Sequence, residues 1–209
     1  MSSLTKDLLR LEQDVLRMGA LVEDSCWLAH VALFERDLER ALLLKEHDRE
    51  VDRFYRQIEM DCLEAMGLYA PVSRQLRVLG AYMQLVRDLE RIGDYAKNLG
   101  EIAAVLFRYP PFPHQERLQT MSNRCRAMLA MSLGVLSDLD AARARDIKVK
   151  DDAVDRDYRE LYALLAASRC EGLLEPMLQL VLALHHLERI ADHCTNIGQR
   201  VSFIVTGTR

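Results

Sequence analysis

The chain carries one twelve-residue segment twice, at residues 89–100 and again at residues 187–198. Both copies begin Leu-Glu-Arg-Ile, and both keep a Glu, an Asp and an Asn at intervals of four residues. An α-helix returns to the same face after about four residues, so each series lines one side of a helix. Core packing does not require such a polar series. Its repetition therefore marks a candidate functional position in each half of the chain.

The duplication extends over most of the chain. Residues 51–56, Val-Asp-Arg-Phe-Tyr-Arg, match residues 154–159, Val-Asp-Arg-Asp-Tyr-Arg, at a spacing of 103 positions. The spacing then falls to 98, which places a five-residue deletion between the middle and last helices of the second half, where loops accept length changes. We therefore predict two tandem repeats, residues 1–109 and residues 114–209, joined by a proline-rich linker at residues 110–113.

Few residues interrupt the helical periodicity of either repeat. Aromatic residues make up 6% of the chain, and only 9 Gly and 5 Pro are present, which favours helices over strands. The main breaks fall at residues 67–71, 109–113 and 171–176. Between them, apolar residues recur at intervals of three and four, the pattern of helices that bury one face. We predict an all-α protein of two three-helix bundles. The predicted helices are 3–34, 37–67, 72–108, 115–139, 142–170 and 174–206.

Composition disfavours several classes of function. The formal net charge of -4 argues against nucleic acid as a partner, since phosphate binding requires a basic surface. The five cysteines include no Cys-x-x-Cys pair, as in a reduced cytoplasmic protein. No apolar stretch predicts a transmembrane segment, and the charged first residues lack the apolar core of a signal peptide. We find no phosphate loop, zinc-protease motif or nucleophile elbow, so we expect a cytoplasmic protein that is not an enzyme.

Eight carboxylates occupy equivalent positions in the two halves. In each repeat two lie on the middle helix and two on the last helix, with each pair spaced i, i+4. A helical projection puts the last-helix pairs about 180° from the apolar seam, on the outside of the bundle, and the middle-helix pairs at its shoulder. Like charges at this spacing repel, so such acidic ridges need a cation or solvent to relieve them. The eight candidates are Asp48, Asp52, Glu90, Asp94, Asp151, Asp155, Glu188 and Asp192.

A solvated surface is the simplest alternative to a cation site. With 32 acidic residues in 209, about five i, i+4 acidic pairs are expected by chance. Recurrence at equivalent places in both halves favours cation binding, although a docking ridge without metal fits the same pattern. Oxygen ligands without paired Cys or His favour Mg²⁺, Mn²⁺ or carboxylate-bridged iron. Arg91 and Arg189, beside the carboxylates, are expected to hold them in place through ion pairs.

Further features follow one another in a fixed order along the chain. Arg-Asp-Leu-Glu-Arg-Ile-Gly-Asp occupies residues 87–94 and Leu-Glu-Arg-Ile-Ala-Asp-His occupies residues 187–193, each followed by an Asn. Pro71 and Pro176 precede these motifs, and Ile-Val-Thr-Gly closes the pattern at 204–207. Together these features resemble the PhoU family of phosphate transport regulators, over essentially the whole chain. The resemblance implies two three-helix bundles related by a pseudo-two-fold axis.

The resemblance also implies multinuclear metal clusters, iron in some relatives, on the eight carboxylates named above. Asn98 and Asn196 match the Asn of the family and are expected to make accessory contacts, together with Arg91 and Arg189. The sequence departs from the family pattern at two positions in the motifs. Tyr95 stands where the family usually has His, and Ala191 stands where it usually has Gly.

The functional expectation comes from the family. PhoU proteins are negative regulators of the phosphate-starvation response, which implies a cytoplasmic adaptor between the ATPase subunit of the phosphate ABC transporter and a membrane sensor histidine kinase. The exposed faces of long bundle helices add the expectation of a homodimer. Two alternatives remain open at this stage. One is a helical scaffold that needs no metal, and the other is a metal-storage or metallo-hydrolase protein that uses the same carboxylates.

Overall fold

The computed structural model of the protein describes residues 2–112, 114–168 and 173–208. These residues form six α-helices, and no strand occurs among them. The helices are α1 (Ser3–Phe34), α2 (Leu38–Tyr69), α3 (Arg74–Leu106), α4 (Gln115–Asp138), α5 (Ala141–Ala167) and α6 (Glu175–Thr206). Their bounds agree with the predicted helices to within three residues, which confirms the all-α prediction. Pro113 of the predicted linker and residues 169–172, where the fifth helix was predicted to end, lie outside the described residues.

Local sequence signals set the helix ends. Asp37 and Asp140, which are equivalent in the two repeats, are the N-caps of α2 and α5, and each side chain accepts hydrogen bonds from backbone N–H groups of the first turn. Pro176 occupies the first turn of α6, where a missing N–H costs nothing. Gly207 caps the end of the same helix with a φ of 79°, a left-handed conformation that glycine adopts freely.

The core follows the apolar seams of α3 and α6. Leu89, Ile92 and Ala96 of α3 are fully buried, and so are Cys194 and Ile197 of α6. Within each repeat the middle helix packs against the other two, α2 on α1 and α3, and α5 on α4 and α6. No helix in the described parts of the chain has the length and apolar character that crossing a membrane requires.

Pairs of equivalent contacts reveal the pseudo-two-fold relation between the repeats. The α1–α4 contact includes His30, whose Nδ1 lies 2.9 Å from the Ser122 Oγ. The positions 103 residues after His30 and 103 residues before Ser122 are Leu133 and Gly19, and these two residues are also in contact. Helix α3 packs against α6 in the same manner, so the first helices of the repeats meet each other and the last helices meet each other.

Candidate functional site

The first acidic cluster, defined as Asp48, Asp52, Glu90 and Asp94, lies between α2 and α3. Its geometry is organised by Lys97, one turn after Asp94 on α3. The Lys97 Nζ donates hydrogen bonds of 2.9 Å to the Oδ1 of Asp48 and of 2.9 Å to the Oδ1 of Asp94. The ammonium therefore joins the carboxylates of two helices, and only 25% of the Lys97 side chain is exposed.

Glu90 of the first cluster is affected by the charges of the other three carboxylates. Burial raises the pKa of Glu90, and the negative charges of Asp94, Asp52 and Asp48 raise it further. Arg91 opposes this effect from the rim, with its Nε 3.6 Å from Glu90 and its Nη1 3.4 Å from Asp94. The three aspartates consequently lie close enough to Glu90 to influence its proton binding.

The second acidic cluster, defined as Asp151, Asp155, Glu188 and Asp192, lies between α5 and α6. Asp151 is only 2% exposed. Its Oδ2 accepts a hydrogen bond of 2.7 Å from the Lys148 Nζ, while its Oδ1 is buried and makes no hydrogen bond. A buried carboxylate oxygen without a partner is costly, so this atom marks a place where a cation or a donor would be stabilising.

Glu188 repeats the pattern seen at Asp151. Its Oε2 is buried without a hydrogen bond, and the His185 Nδ1 lies 3.9 Å from this carboxylate oxygen. Burial raises the pKa of Glu188, followed by the charge of Asp192. Burial likewise raises the pKa of Asp155, followed by the charge of Asp151 and, more weakly, that of Asp192. The second cluster is thus brought together in the fold as the first one is.

Several of the carboxylates lie deeper in the fold than the predicted outside and shoulder positions imply. Asp151 is buried, and the side chains of Glu90 and Glu188 are only 20% and 25% exposed. The helical projection measured angles from a single apolar seam, whereas α3 packs against α1, α2 and α6 at once. Neighbouring helices therefore cover the flanks of α3 and leave Arg87, Arg91 and Glu101 exposed. The carboxylates line the α2–α3 and α5–α6 junctions.

The expected ion pairs of the accessory arginines are present. Arg91 contacts both carboxylates of its motif, and the Arg189 Nη1 lies 2.7 Å from the Asp192 Oδ2. The asparagines were expected to make accessory contacts, and the contact of Asn196 goes to the opposite repeat. Asn98 is half-buried, and Asn196 donates a hydrogen bond of 3.2 Å to the carboxylate of Asp88 in the opposite repeat.

Tyr95, the first departure from the family pattern, lies at the contact between the repeats. Its ring lies 5.4 Å from that of His186 and 5.9 Å from that of His193, both in α6. A hydrogen bond with Tyr95 raises the pKa of Arg189. The residue therefore connects the first repeat to the second acidic cluster through an arginine that holds Asp192.

The carboxylates of the second cluster are suitable ligands for a metal ion, but their oxygen atoms do not surround a common position. Asp151 and Glu188 offer hard oxygen donors with an unused acceptor atom each, as Mg²⁺ and Mn²⁺ prefer. Within residues 2–112, 114–168 and 173–208, no three His, Cys, Asp or Glu side chains are grouped tightly enough to hold an ion. Ion binding here consequently requires side-chain rotation, including release of Asp192 from Arg189.

Sequence reasoning did not single out two polar residues of the site. Lys97 occupies the centre of the first cluster. Its spacing of three residues from Asp94 on one helix was the sequence feature that could have predicted their ion pair. Asp88 is 7% exposed and binds both His193 and Asn196 of the other repeat. A single aspartate carries no periodic signal, because its partners are more than 100 residues away.

Comparison with known proteins gives a consistent result. The PhoU domain model matches residues 15–103 and again residues 118–201, one match in each repeat. A Synechocystis protein described as a phosphate-specific transport system accessory protein PhoU homolog is 53% identical over 96% of this chain and 90% of its own length.

Two solved structures superimpose on nearly the full length of the chain. The crystal structure of PhoU from Pseudomonas aeruginosa matches with a TM-score of 0.92 at 29% identity, covering 98% of this chain and 99% of that one. The phosphate transport system regulatory protein PhoU from Streptococcus pneumoniae matches with a TM-score of 0.91 at 28% identity, covering 99% and 98%. On the strength of both matched repeats, the shared sequence and the shared six-helix fold, this chain belongs to the PhoU family.

Proposed function

We propose that the protein is a negative regulator of phosphate uptake and of the phosphate-starvation response. It acts as a cytoplasmic adaptor, and not as an enzyme, between the ATPase subunit of the phosphate ABC transporter and the membrane sensor histidine kinase of the phosphate regulon. The proposal is supported by the relatives, since the Synechocystis protein is named an accessory protein of phosphate transport and the Streptococcus pneumoniae protein a regulator of it.

The proposal includes a resident cation, Mg²⁺, Mn²⁺ or iron, at the acidic clusters. The observation that carries this part is the carboxylate of Asp151, which is 2% exposed and keeps one oxygen without a hydrogen bond. Such an ion would neutralise charges that now repel one another between α5 and α6, so it would stiffen the junction of these helices. An adaptor would then present a more rigid surface in its loaded form than in its metal-free form.

Gene deletion with complementation tests the regulatory role. In phosphate-replete cells we expect deletion to raise expression of phosphate-scavenging genes, and the intact gene to restore repression. Unchanged expression in the deletion strain would contradict the proposed regulation. Complementation with an Asp151→Asn, Glu188→Gln double variant then tests the metal. Full repression by a stable, metal-free variant would leave the regulator in place and remove the cation from its mechanism.

Co-purification tests the proposed partners. Protein captured from the membranes of phosphate-replete cells is expected to bring down the transporter ATPase and the sensor kinase, identified by mass spectrometry against a capture from a strain lacking the tag. Absence of both would contradict the adaptor role. The proposed homodimer has a separate readout, because light scattering on the purified protein should give twice the mass of one chain.

A further inference from the structure

The two acidic clusters differ at one sequence position, and this difference determines which positively charged group lies between the carboxylates. Lys97 of α3 and Thr195 of α6 are equivalent, since both lie three residues after the Asp of their repeated motif. In the first cluster this position supplies an ammonium group that bonds to Asp48 and Asp94. In the second it supplies a hydroxyl group, and that hydroxyl donates to the backbone carbonyl of Ala191 on its own helix.

Lys97 already supplies the positive charge that the first cluster needs. Its Nζ lies 2.9 Å from a carboxylate oxygen on each of two helices. The ammonium group therefore holds α2 to α3 in the way that a bridging cation would.

The second cluster contains acceptors that no residue satisfies. Asp151 Oδ1 and Glu188 Oε2 are both buried and without hydrogen bonds. Lys148 is the nearest lysine, but its side chain is 58% exposed and pairs with Asp151 and Asp152 on its own helix, so it does not bridge α5 to α6. Its equivalent in the first repeat is Lys45, so both repeats carry a lysine at this position of the sequence.

We propose that Lys97 excludes metal from the first cluster, and that the cation of this protein binds only at the second cluster, where Thr195 leaves one carboxylate oxygen each of Asp151 and Glu188 free to ligate it. This proposal rests on the proposed cation binding and adds its location. In each repeat a positive charge then bridges the middle and last helices, but its source differs. The first is bridged permanently by its own lysine, while the bridge of the second depends on the supply of a divalent ion.

Reciprocal exchange of the two residues tests the proposal. Mn²⁺ binding to chelator-treated, tag-free protein would be measured by equilibrium dialysis and elemental analysis, with Mn²⁺ itself as the probe. We expect Thr195→Lys to weaken Mn²⁺ binding at least about tenfold, because a fixed positive charge at contact distance repels a divalent ion. We expect Lys97→Thr to add a second binding region. Thr195→Val is the uncharged control, and it should bind like the unaltered protein.

Carboxylate variants locate the ion independently of the exchange. Asp48→Asn with Glu90→Gln should leave Mn²⁺ binding unchanged, whereas Asp151→Asn with Glu188→Gln should abolish it. A shift of the unfolding midpoint on adding Mn²⁺ provides a second readout, since only a protein that binds the ion is stabilised by it. This shift should disappear in the second pair of variants and persist in the first.

The outcomes separate the inference from the function on which it rests. Mn²⁺ binding that survives both Thr195→Lys and the loss of Asp151 and Glu188 would overturn the location. So would binding that is lost with Asp48 and Glu90. An unaltered protein that takes up no Mn²⁺, Mg²⁺ or iron would instead overturn the proposed cation binding, and the exclusion by Lys97 with it, while the regulatory role would stand on the deletion phenotype.

Discussion

The carboxylate of Asp88 in α3 accepts a hydrogen bond of 2.8 Å from the Nδ1 of His193 in α6, across the pseudo-two-fold axis. Both side chains are nearly buried, with 10% and 13% of their surfaces exposed. The positions equivalent to His193 and Asp88 are Tyr95 and His186, and their rings are also in contact. Two equivalent contacts thus join the halves of the protein, and one of them is polar while the other is aromatic.

Removal of the imidazole should loosen the contact between the repeats. His193→Ala leaves the buried Asp88 carboxylate with Asn196 as its hydrogen-bond donor, and we expect a loss of about 2 kcal/mol in the free energy of unfolding. Urea unfolding followed by circular dichroism measures this loss. His185→Ala is the matched control, because that side chain is 52% exposed and should change the value by less than about 0.5 kcal/mol. Equal effects of the two substitutions would contradict the assigned role.

Close helix packing should make Gly198 irreplaceable. A Cβ at this position would lie 2.9 Å from the Ile147 Cδ1 and 3.2 Å from the backbone oxygen of Ala144, and the backbone of α5 cannot retreat without moving the helix. We expect Gly198→Ala to destabilise the protein by about 2 kcal/mol. In contrast, a Cβ at Gly134 meets nothing within 4 Å. Gly134→Ala should therefore stabilise α4 by about 0.5–1 kcal/mol, as alanine does in place of glycine within helices. Thermal unfolding of both variants checks the opposite signs.

Charge repulsion in the second cluster should give the metal-free protein a defined pH dependence. Burial and then the charge of Asp192 raise the pKa of Glu188 above its ordinary value, so the folded state binds this proton more tightly than the unfolded state does. The resulting stabilisation is complete below the unfolded pKa and is lost as the pH rises through the folded pKa. We expect unfolding midpoints measured in chelator to fall as the pH rises across that window.

Glu188→Gln should remove part of this pH dependence and stabilise the metal-free protein at pH 7 by about 0.5 kcal/mol, the size of a like-charge pair on one helix. Glu101→Gln is the control, since Glu101 is exposed on α3. The same substitution at Glu188 should abolish the stabilisation that Mn²⁺ provides. A variant that is less stable than the unaltered protein in chelator would contradict the view that this carboxylate is held under repulsion.

The helices could be predicted because the residues that end them act within one turn of the chain. Asp37, Asp140, Pro176 and Gly207 each act on the turn in which they stand, and all four lie at helix ends in the structure. The internal repeat supplied the remainder of the architecture. Two copies of one unit bury their apolar faces best by meeting at equivalent helices, and α3 and α6 do meet in this way.

The surroundings of the carboxylates could not be predicted from the same patterns. Periodicity identifies the apolar seam of a helix but not the number of neighbours that cover its other faces. Asp151 therefore projected to the shoulder of the bundle and is buried in the fold. The part played by Lys97 depends on Asp48, which is 49 residues away on another helix. Only the packing of α2 on α3 brings those two charges together.

Anomalous diffraction from crystals of the chelator-treated protein soaked in Mn²⁺ tests the central claim most directly. The account predicts an anomalous peak within coordination distance of Asp151 and Glu188, and none among Asp48, Asp52, Glu90 and Asp94, where the Lys97 ammonium should remain in place. A peak between the first four carboxylates with Lys97 displaced, or no peak at either cluster, would contradict it.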